Sequence, residues 1–160
     1  QVAVLAVNQG GEELFAYKLG DLSRYFNNAR VLCESNTGGA GRVVIRILNR
    51  ENVPLWRDDR GRDWTTARGN KEHAYAFCRQ MVNSDAILLN DHQTVQELMH
   101  VREEKGRIEG QDGCHDDHAD ALVLATWALR TCPGYTGSGR LVRPVIRRTN
   151  PWTRIREGIP

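Results

Sequence analysis

The strongest constraint on the fold is the alternation of short apolar segments with segments of helical periodicity. Residues 2–7 (VAVLAV) and 29–34 (ARVLCE) have the composition of short buried strands. Between them, Phe15, Leu19 and Leu22 recur at a spacing close to one helical turn. Strands that alternate with helices predict an α/β fold.

The rest of the chain continues this pattern. The predicted elements are a helix over 42–50 after the glycine-rich loop SNTGGAG, an irregular charged surface excursion over 55–69, a helix capped by Asn70, a short strand or helix end over 85–90, a helix capped by Asp91, a hairpin over 102–113 and a helix over 116–130. At most three apolar strands are visible, whereas a sheet usually has about five or six. We therefore expect further strands upstream of Gln1.

Length and composition indicate one globular domain with a basic C-terminal extension. The chain has 160 residues, of which 40 % are hydrophobic, and no apolar run approaches the roughly 20 residues that span a bilayer, so no membrane partner is expected. We assign the domain to 1–131, and a Gly/Ser-rich linker and tail to 132–160. Residues 140–160 contain six arginines and one glutamate, which suits an acidic partner such as nucleic acid or, alternatively, a solvated tail.

The four cysteines form no C-x-x-C pair, which argues against a zinc ribbon. Cys33 lies in an apolar segment and Cys78 in a predicted helix, where a free thiol behaves as a small hydrophobic group. A reducing environment is therefore expected. The chain contains neither the GxxxxGK[ST] nor the GxGxxG pattern of nucleotide-binding loops.

Acidic residues at element ends are the candidate functional groups. Glu34 ends an apolar strand, and the carboxyl ends of strands are where α/β sheets place ligands. Asp116 and Asp117 begin the last helix, and Asp120 shares the Asp116 face of it. Such carboxylates suit Mg²⁺ or Mn²⁺, but aspartates at a helix start also act as simple caps. His115 and His118 lack a third soft ligand nearby, which argues against zinc.

Several motifs taken in order resemble the nuclease domain of large terminase subunits from tailed bacteriophages. They are "FAYKLGDLSRYFNNA" (15–29), "RVLCESNTGGAG" (30–41), "TTARGNKEHAYAF" (65–77) and "GRIEGQDGCHDDHADALVLATWAL" (106–129). The resemblance implies an RNase H-like mixed sheet flanked by helices. It also implies a DNA endonuclease that cuts concatemeric viral DNA during genome packaging.

The resemblance assigns Glu34, Asp116 and Asp117 as catalytic metal ligands for two Mg²⁺ or Mn²⁺ ions. His115 would be a neighbour of the site rather than a ligand. Asn36 and Lys71 would help to position the DNA phosphate or the acids, although a turn residue and a solvated lysine are equally common at such places. From charge alone, Lys105 and Arg107 on the predicted hairpin are further candidates for contacts to the DNA backbone.

One departure from the family pattern concerns its first catalytic Asp, which lies on the first strand and has no counterpart here. Residues 1–11 resemble the third strand, so we expect the first two strands and an ATPase domain upstream in a longer chain, and little cleavage by this segment alone. The implied partners are double-stranded DNA, that ATPase domain, the portal protein and the small terminase subunit, in the cytoplasm of an infected bacterium. The alternatives are a resolvase-type or transposase-type nuclease, or a fragment that docks DNA or portal without catalysis.

Overall fold

The protein is a layered α/β structure. A computed structural model describes residues 1–7, 9–36, 39–104 and 106–130. Within these ranges the elements are α1 (Gly11–Tyr25), α2 (Ala40–Arg50), α3 (Arg68–Asn83), α4 (His92–His100), β1 (Val101–Glu104), β2 (Arg107–Gly110) and α5 (Asp117–Arg130). The α/β class predicted from the sequence is confirmed. The linker and basic tail predicted over 132–160 lie outside the described residues.

Residues 31–34 form an extended segment at the centre of the molecule. Isolated parallel bridges join Val31 to Leu55 and Glu34 to Trp64. The amide of Ser35 donates to the Trp64 carbonyl at 2.7 Å. Thus the strand predicted over 29–34 is present as an extended segment with two bridges, not as a strand of a larger sheet.

The remaining sheet predictions divide between a hairpin that forms and a strand that does not. β1 and β2 pair antiparallel, with Val101 opposite Gly110, as the turn signal in the sequence predicts. Residues 2–7 form no strand, because no described segment pairs its backbone with theirs. The α-amino group of Gln1 donates instead to the Leu88 carbonyl at 2.6 Å. The described part of the chain therefore has one two-stranded antiparallel sheet and the two parallel bridges, rather than a mixed sheet flanked by helices.

The side chains of the extended segment alternate between two apolar cores. Val31 and Cys33 pack against the core of α1 and α2, whereas Leu32 packs against the core of α3 and α5. This is the two-residue period of extended chain. The first core centres on Leu48, whose exposed fraction is 0 %, and burying such a side chain stabilises the fold by about 1.5–3 kcal/mol. Helices thus cover both faces of the extended segment.

The charged segment over 55–69, predicted as a surface excursion, is anchored by two buried tryptophans. Trp56 and Trp64 are 5 % and 6 % exposed, and their ring centroids lie 6.1 Å apart. Trp64 also makes an edge contact with Trp127 of α5, at 5.7 Å. The prediction of a surface position was wrong for these two residues, because the many charged residues around them made the whole segment resemble an exposed loop.

Helix starts follow local signals. The Asp91 carboxylate accepts from the Thr94 amide at 2.7 Å and so caps α4, as predicted. Asn70, predicted to be the cap of α3, lies inside the first turn instead. Its side-chain oxygen accepts from the Ala67 amide at 2.7 Å, which holds the chain at the helix entrance. The α3 helix consequently begins at Arg68, earlier than the sequence suggests.

Candidate functional site

Glu34 reaches the site because of its place in the extended segment. Its side chain follows Leu32 on the face that meets α3 and α5, as the two-residue period requires. There it lines a small pocket of about 10 Å³, which is about the volume that one water needs. The pocket is lined by Glu34, Trp64, Thr66, Lys71, Ala74, Tyr75, Asp120, Val123 and Leu124.

The close fit of the loop after Glu34 depends on a glycine. A Cβ atom added to Gly41, in the first turn of α2, would lie 1.8 Å from the Glu34 carbonyl oxygen. Only glycine therefore allows this helix to start against the end of the extended segment. Gly41 thus has a packing role that fixes the backbone next to Glu34.

Asp120 enters the same pocket from α5. Its Oδ1 accepts a hydrogen bond from the Tyr75 hydroxyl at 2.6 Å, and its Oδ2 lies 2.9 Å from Lys71 Nζ. Both partners come from α3, which packs against α5. Sequence reasoning placed Asp120 on the Asp116 face of its helix but did not include it among the ligands. The one indication of its role in the sequence was its place on a packed helix face, where a carboxylate is costly unless it has a partner.

Asp116 lies at the edge of this cluster. Its Oδ2 is 3.9 Å from Lys71 Nζ and accepts from the Gly110 amide at 3.2 Å. A Cβ atom on Gly110 would lie 2.8 Å from the Cys114 carbonyl oxygen, so glycine is needed for the hairpin to approach the α5 start. Lys71, predicted to contact phosphate or the acids, therefore bridges two of the acids.

The other predicted site residues are more exposed. Asp117 is the first residue of α5, and its exposed side chain contacts no described residue through a hydrogen bond or ion pair. Asn36 is exposed and its amide donates to the Glu34 carboxylate. Arg107 is exposed on β2, and His115 is exposed just before α5. Lys105 lies outside the described residues.

The protonation of Tyr75 is fixed by its surroundings. Burial, together with the hydrogen bond to Asp120 and the negative charges of Asp120 and Asp116, raises the pKa of the Tyr75 phenol well above its ordinary value. The phenol therefore remains a hydrogen-bond donor throughout the neutral pH range. With Lys71, whose side chain is 20 % exposed, it holds the Asp120 carboxylate on both oxygens.

The start of α5 is held by a residue that sequence reasoning missed. The Glu97 carboxylate on α4 is 6 % exposed and accepts from the His118 amide at 2.7 Å and the Ala119 amide at 3.2 Å. A carboxylate at this position satisfies amides that have no partner within the helix and interacts favourably with the helix dipole. Glu97 thereby fixes the turn that carries Asp116 and Asp120.

The three thiols within the described ranges do not line this pocket. Burial, with a smaller contribution from the charge of Asp63, raises the pKa of the Cys33 thiol to about 12. Cys78 is buried and Cys114 is exposed, and all three are free. Within the described ranges, no three His, Cys, Asp or Glu side chains are grouped closely enough to hold a metal ion together. Lys71 pairs instead with Asp120 and lies near Asp116, whereas the Glu34 carboxylate accepts from the Asn36 amide.

Comparisons with known proteins add no family assignment, since no family model and no curated protein matches the chain. Helices in the described part of the chain also lack the combination of length and apolar character that is required to cross a membrane.

Proposed function

We propose that the chain is the nuclease part of a metal-dependent DNA endonuclease with an RNase H-like fold, of the kind found in large terminase subunits. The observation that carries the proposal is that Glu34 and Asp120, from distant parts of the sequence, line one pocket. Lys71 connects this pocket to Asp116. The helices on both faces of the parallel-bridged segment support the fold assignment.

The donor set of the pocket fits a hard divalent ion. Mg²⁺ usually keeps several waters and is bound by one or two carboxylates together with substrate phosphates. Glu34 and Asp120 supply carboxylates of this type, and Asp116 supplies a third at the edge. Bound Mg²⁺ or Mn²⁺ would lower the pKa of a coordinated water and offset the negative charge on the phosphate.

The chain's own residues orient the carboxylates and attract the substrate. Tyr75 and Lys71 fix the Asp120 carboxylate, and the partly exposed Lys71 ammonium adds positive charge where a phosphate would lie. In hydrolysis, the water oxygen forms a bond to phosphorus and the bond from phosphorus to the 3′ oxygen breaks. The water loses a proton and the leaving oxygen gains one, which gives a 5′ phosphate and a 3′ hydroxyl. Contacts made mainly to phosphates imply little sequence preference.

The proposed biological setting follows the same resemblance. The substrate is concatemeric double-stranded viral DNA, and cleavage accompanies genome packaging in the cytoplasm of an infected bacterium. An ATPase domain in a longer chain, the portal protein and the small terminase subunit are the proposed partners.

The test combines plasmid cleavage in Mn²⁺ with Mn²⁺ binding measured by calorimetry, for this chain and for any longer natural form of it. Glu34→Gln and Asp120→Asn are expected to lower both cleavage and Mn²⁺ affinity by at least about 10-fold, as losing a group at a metal site does. Asp59→Asn, at an exposed position away from the pocket, is the control. Wild-type cleavage and affinity in both pocket variants would refute the proposal.

The role of Asp117 is tested in the same assay. If Asp117 is a metal ligand, as the motif implies, Asp117→Ala should lower cleavage as strongly as Asp116→Ala does. If only Asp116→Ala lowers cleavage, the ligand role belongs to Asp116 and not to Asp117.

A second candidate function is a DNA-binding module without catalysis. It is favoured by the Lys71 ammonium, which lies 2.9 Å from Asp120 and already neutralises that carboxylate. This function predicts DNA binding by the wild-type protein with neither Mn²⁺ binding nor cleavage in any form of the chain.

A further inference from the structure

An open cleft lies beside the pocket, on the outer side of α2. It has a volume of about 440 Å³ and is lined by Ser35, Arg42, Ile45, Arg46, Asn49 and Asp63. Arg42 and Arg46 are four residues apart, so they project from the same face of the helix about 6 Å apart along its axis. Both are exposed. The cleft is thus open to solvent, and two guanidinium groups one helical turn apart line it.

The charge of this cleft is positive and unbalanced. Neither the Arg42 nor the Arg46 guanidinium makes a hydrogen bond or ion pair with a described residue. The one acid in the lining, Asp63, is neutralised by Arg57, whose Nε lies 3.2 Å from Asp63 Oδ1. Like charges one helical turn apart destabilise a helix by about 0.2–0.5 kcal/mol, and a bound anion would offset this cost.

The cleft adjoins the candidate catalytic pocket through the backbone. Glu34 lines the pocket, and the next residue, Ser35, lines the cleft. Ser35 is fixed by hydrogen bonds to the Trp64 carbonyl oxygen, from its amide at 2.7 Å and its hydroxyl at 2.9 Å. The close approach of Gly41 to Glu34 holds the first turn of α2 at the same point. The cleft and the pocket thus share consecutive residues of one backbone segment, whose side chains point to alternate faces.

We propose that Arg42 and Arg46 on α2 bind consecutive phosphates of double-stranded DNA and so hold the duplex against the segment that carries Glu34. The inference rests on the proposed nuclease function for its choice of substrate. Guanidinium groups match phosphate oxygens with two parallel hydrogen bonds, which favours phosphate over other anions at these positions. Contacts of this kind position DNA without reading its sequence.

The test measures DNA binding without cleavage. A short fluorescein-labelled DNA duplex of mixed sequence is titrated with the chain in EDTA, and the salt concentration is varied from about 50 to 200 mM. The plot of log affinity against log salt has a negative slope, and each lost phosphate contact reduces the size of that slope by about 0.9. Arg42→Gln/Arg46→Gln should therefore reduce the size of the slope by roughly two and weaken binding on the order of 50-fold at about 0.1 M salt.

Two controls keep the test specific. Arg30→Gln/Arg79→Gln removes the same charge from exposed positions outside the cleft and should change the slope far less. Arg42→Lys/Arg46→Lys keeps the charge and should retain the salt slope, which guards against a folding defect in the glutamine variant. Equal losses in the two glutamine pairs, or wild-type binding by Arg42→Gln/Arg46→Gln, would overturn the inference.

Cleavage is scored separately, in Mn²⁺. A chain that binds duplex through Arg42 and Arg46 but never cleaves supports the binding inference and counts against the nuclease proposal. A chain that cleaves plasmid with unchanged efficiency after Arg42→Gln/Arg46→Gln supports the nuclease proposal and overturns the binding inference.

Discussion

Glu97 offers the sharpest test of how the candidate site is held together. Its buried carboxylate accepts two hydrogen bonds from the first turn of α5 and a third from the Gln93 side chain at 3.2 Å. Glu97→Ala leaves the His118 and Ala119 amides without their acceptor. Each orphaned amide costs about 1–3 kcal/mol, so we expect a loss of about 2–6 kcal/mol in the free energy of unfolding for the two.

The more conservative Glu97→Gln separates charge from shape. It retains an oxygen that accepts a hydrogen bond but loses the interaction of a negative charge with the helix dipole, which reaches about 2 kcal/mol in partly buried sites. The expected loss is therefore about 1–2 kcal/mol. A further consequence is weaker Mn²⁺ binding by both variants, because the turn that carries Asp116 is no longer fixed.

The measurement is urea unfolding followed by circular dichroism, with the m-value checked for a change in the denatured state. Glu103→Gln on β1 is the matched control, because that side chain is exposed and should contribute within about 0.5 kcal/mol. If Glu97→Ala destabilises the protein no more than Glu103→Gln does, the α4 cap does not hold α5 and the reasoning fails.

Three other predictions concern packing and acid stability. Gly41→Ala should lower the stability measured in a thermal melt by about 1–3 kcal/mol or more, because the new Cβ would lie 1.8 Å from a backbone oxygen. Gly69→Ala, which has open space around it, should instead stabilise α3 slightly. Equal effects of the two substitutions would contradict the argument from close approach. Leu48→Ala, at a fully buried position, should lose about 2–5 kcal/mol in urea unfolding, and a loss below about 1 kcal/mol would place that residue outside a tight core. Hydrogen bonds from the side chain and amide of Thr94 hold the pKa of Asp91 below its ordinary value. The ionised carboxylate therefore contributes to folding stability above about pH 4, and this contribution is lost as pH falls through the lowered pKa. The difference in Tm between wild type and Asp91→Asn should shrink below about pH 4, and a constant difference would refute this.

Local signals predicted the elements that depend on a few neighbouring residues. The Asp91 cap, the turn at Gly106 and the helix over 116–130 are each encoded within a short stretch, and the structure contains all three elements. The apolar composition of residues 29–34 also carried the correct information, since it placed Glu34 at the end of an extended segment.

Other features depend on contacts between residues far apart in the sequence. The pairing of Asp120 with Tyr75 requires the packing of α5 on α3, and no local pattern encodes it. The Glu97 cap joins two helices and could not be read from the sequence, because the aspartate that precedes α5, Asp116, accepts from the Gly110 amide instead. Trp64 was misjudged because its charged neighbours dominate the composition of its segment.

The contacts of Lys71 with Asp120 and Asp116 bear on whether the protein needs a bound ion in order to fold. Because an ammonium group built into α3 already counters Asp120 at 2.9 Å and reaches towards Asp116 at 3.9 Å, the acids need no external ion while the chain collapses. Folding and ion loading are then separate steps, unlike in zinc fingers, which are unfolded without their metal. A chelator should leave the melting temperature unchanged. Under the nuclease proposal, the chain would therefore fold before it takes up an ion and a substrate.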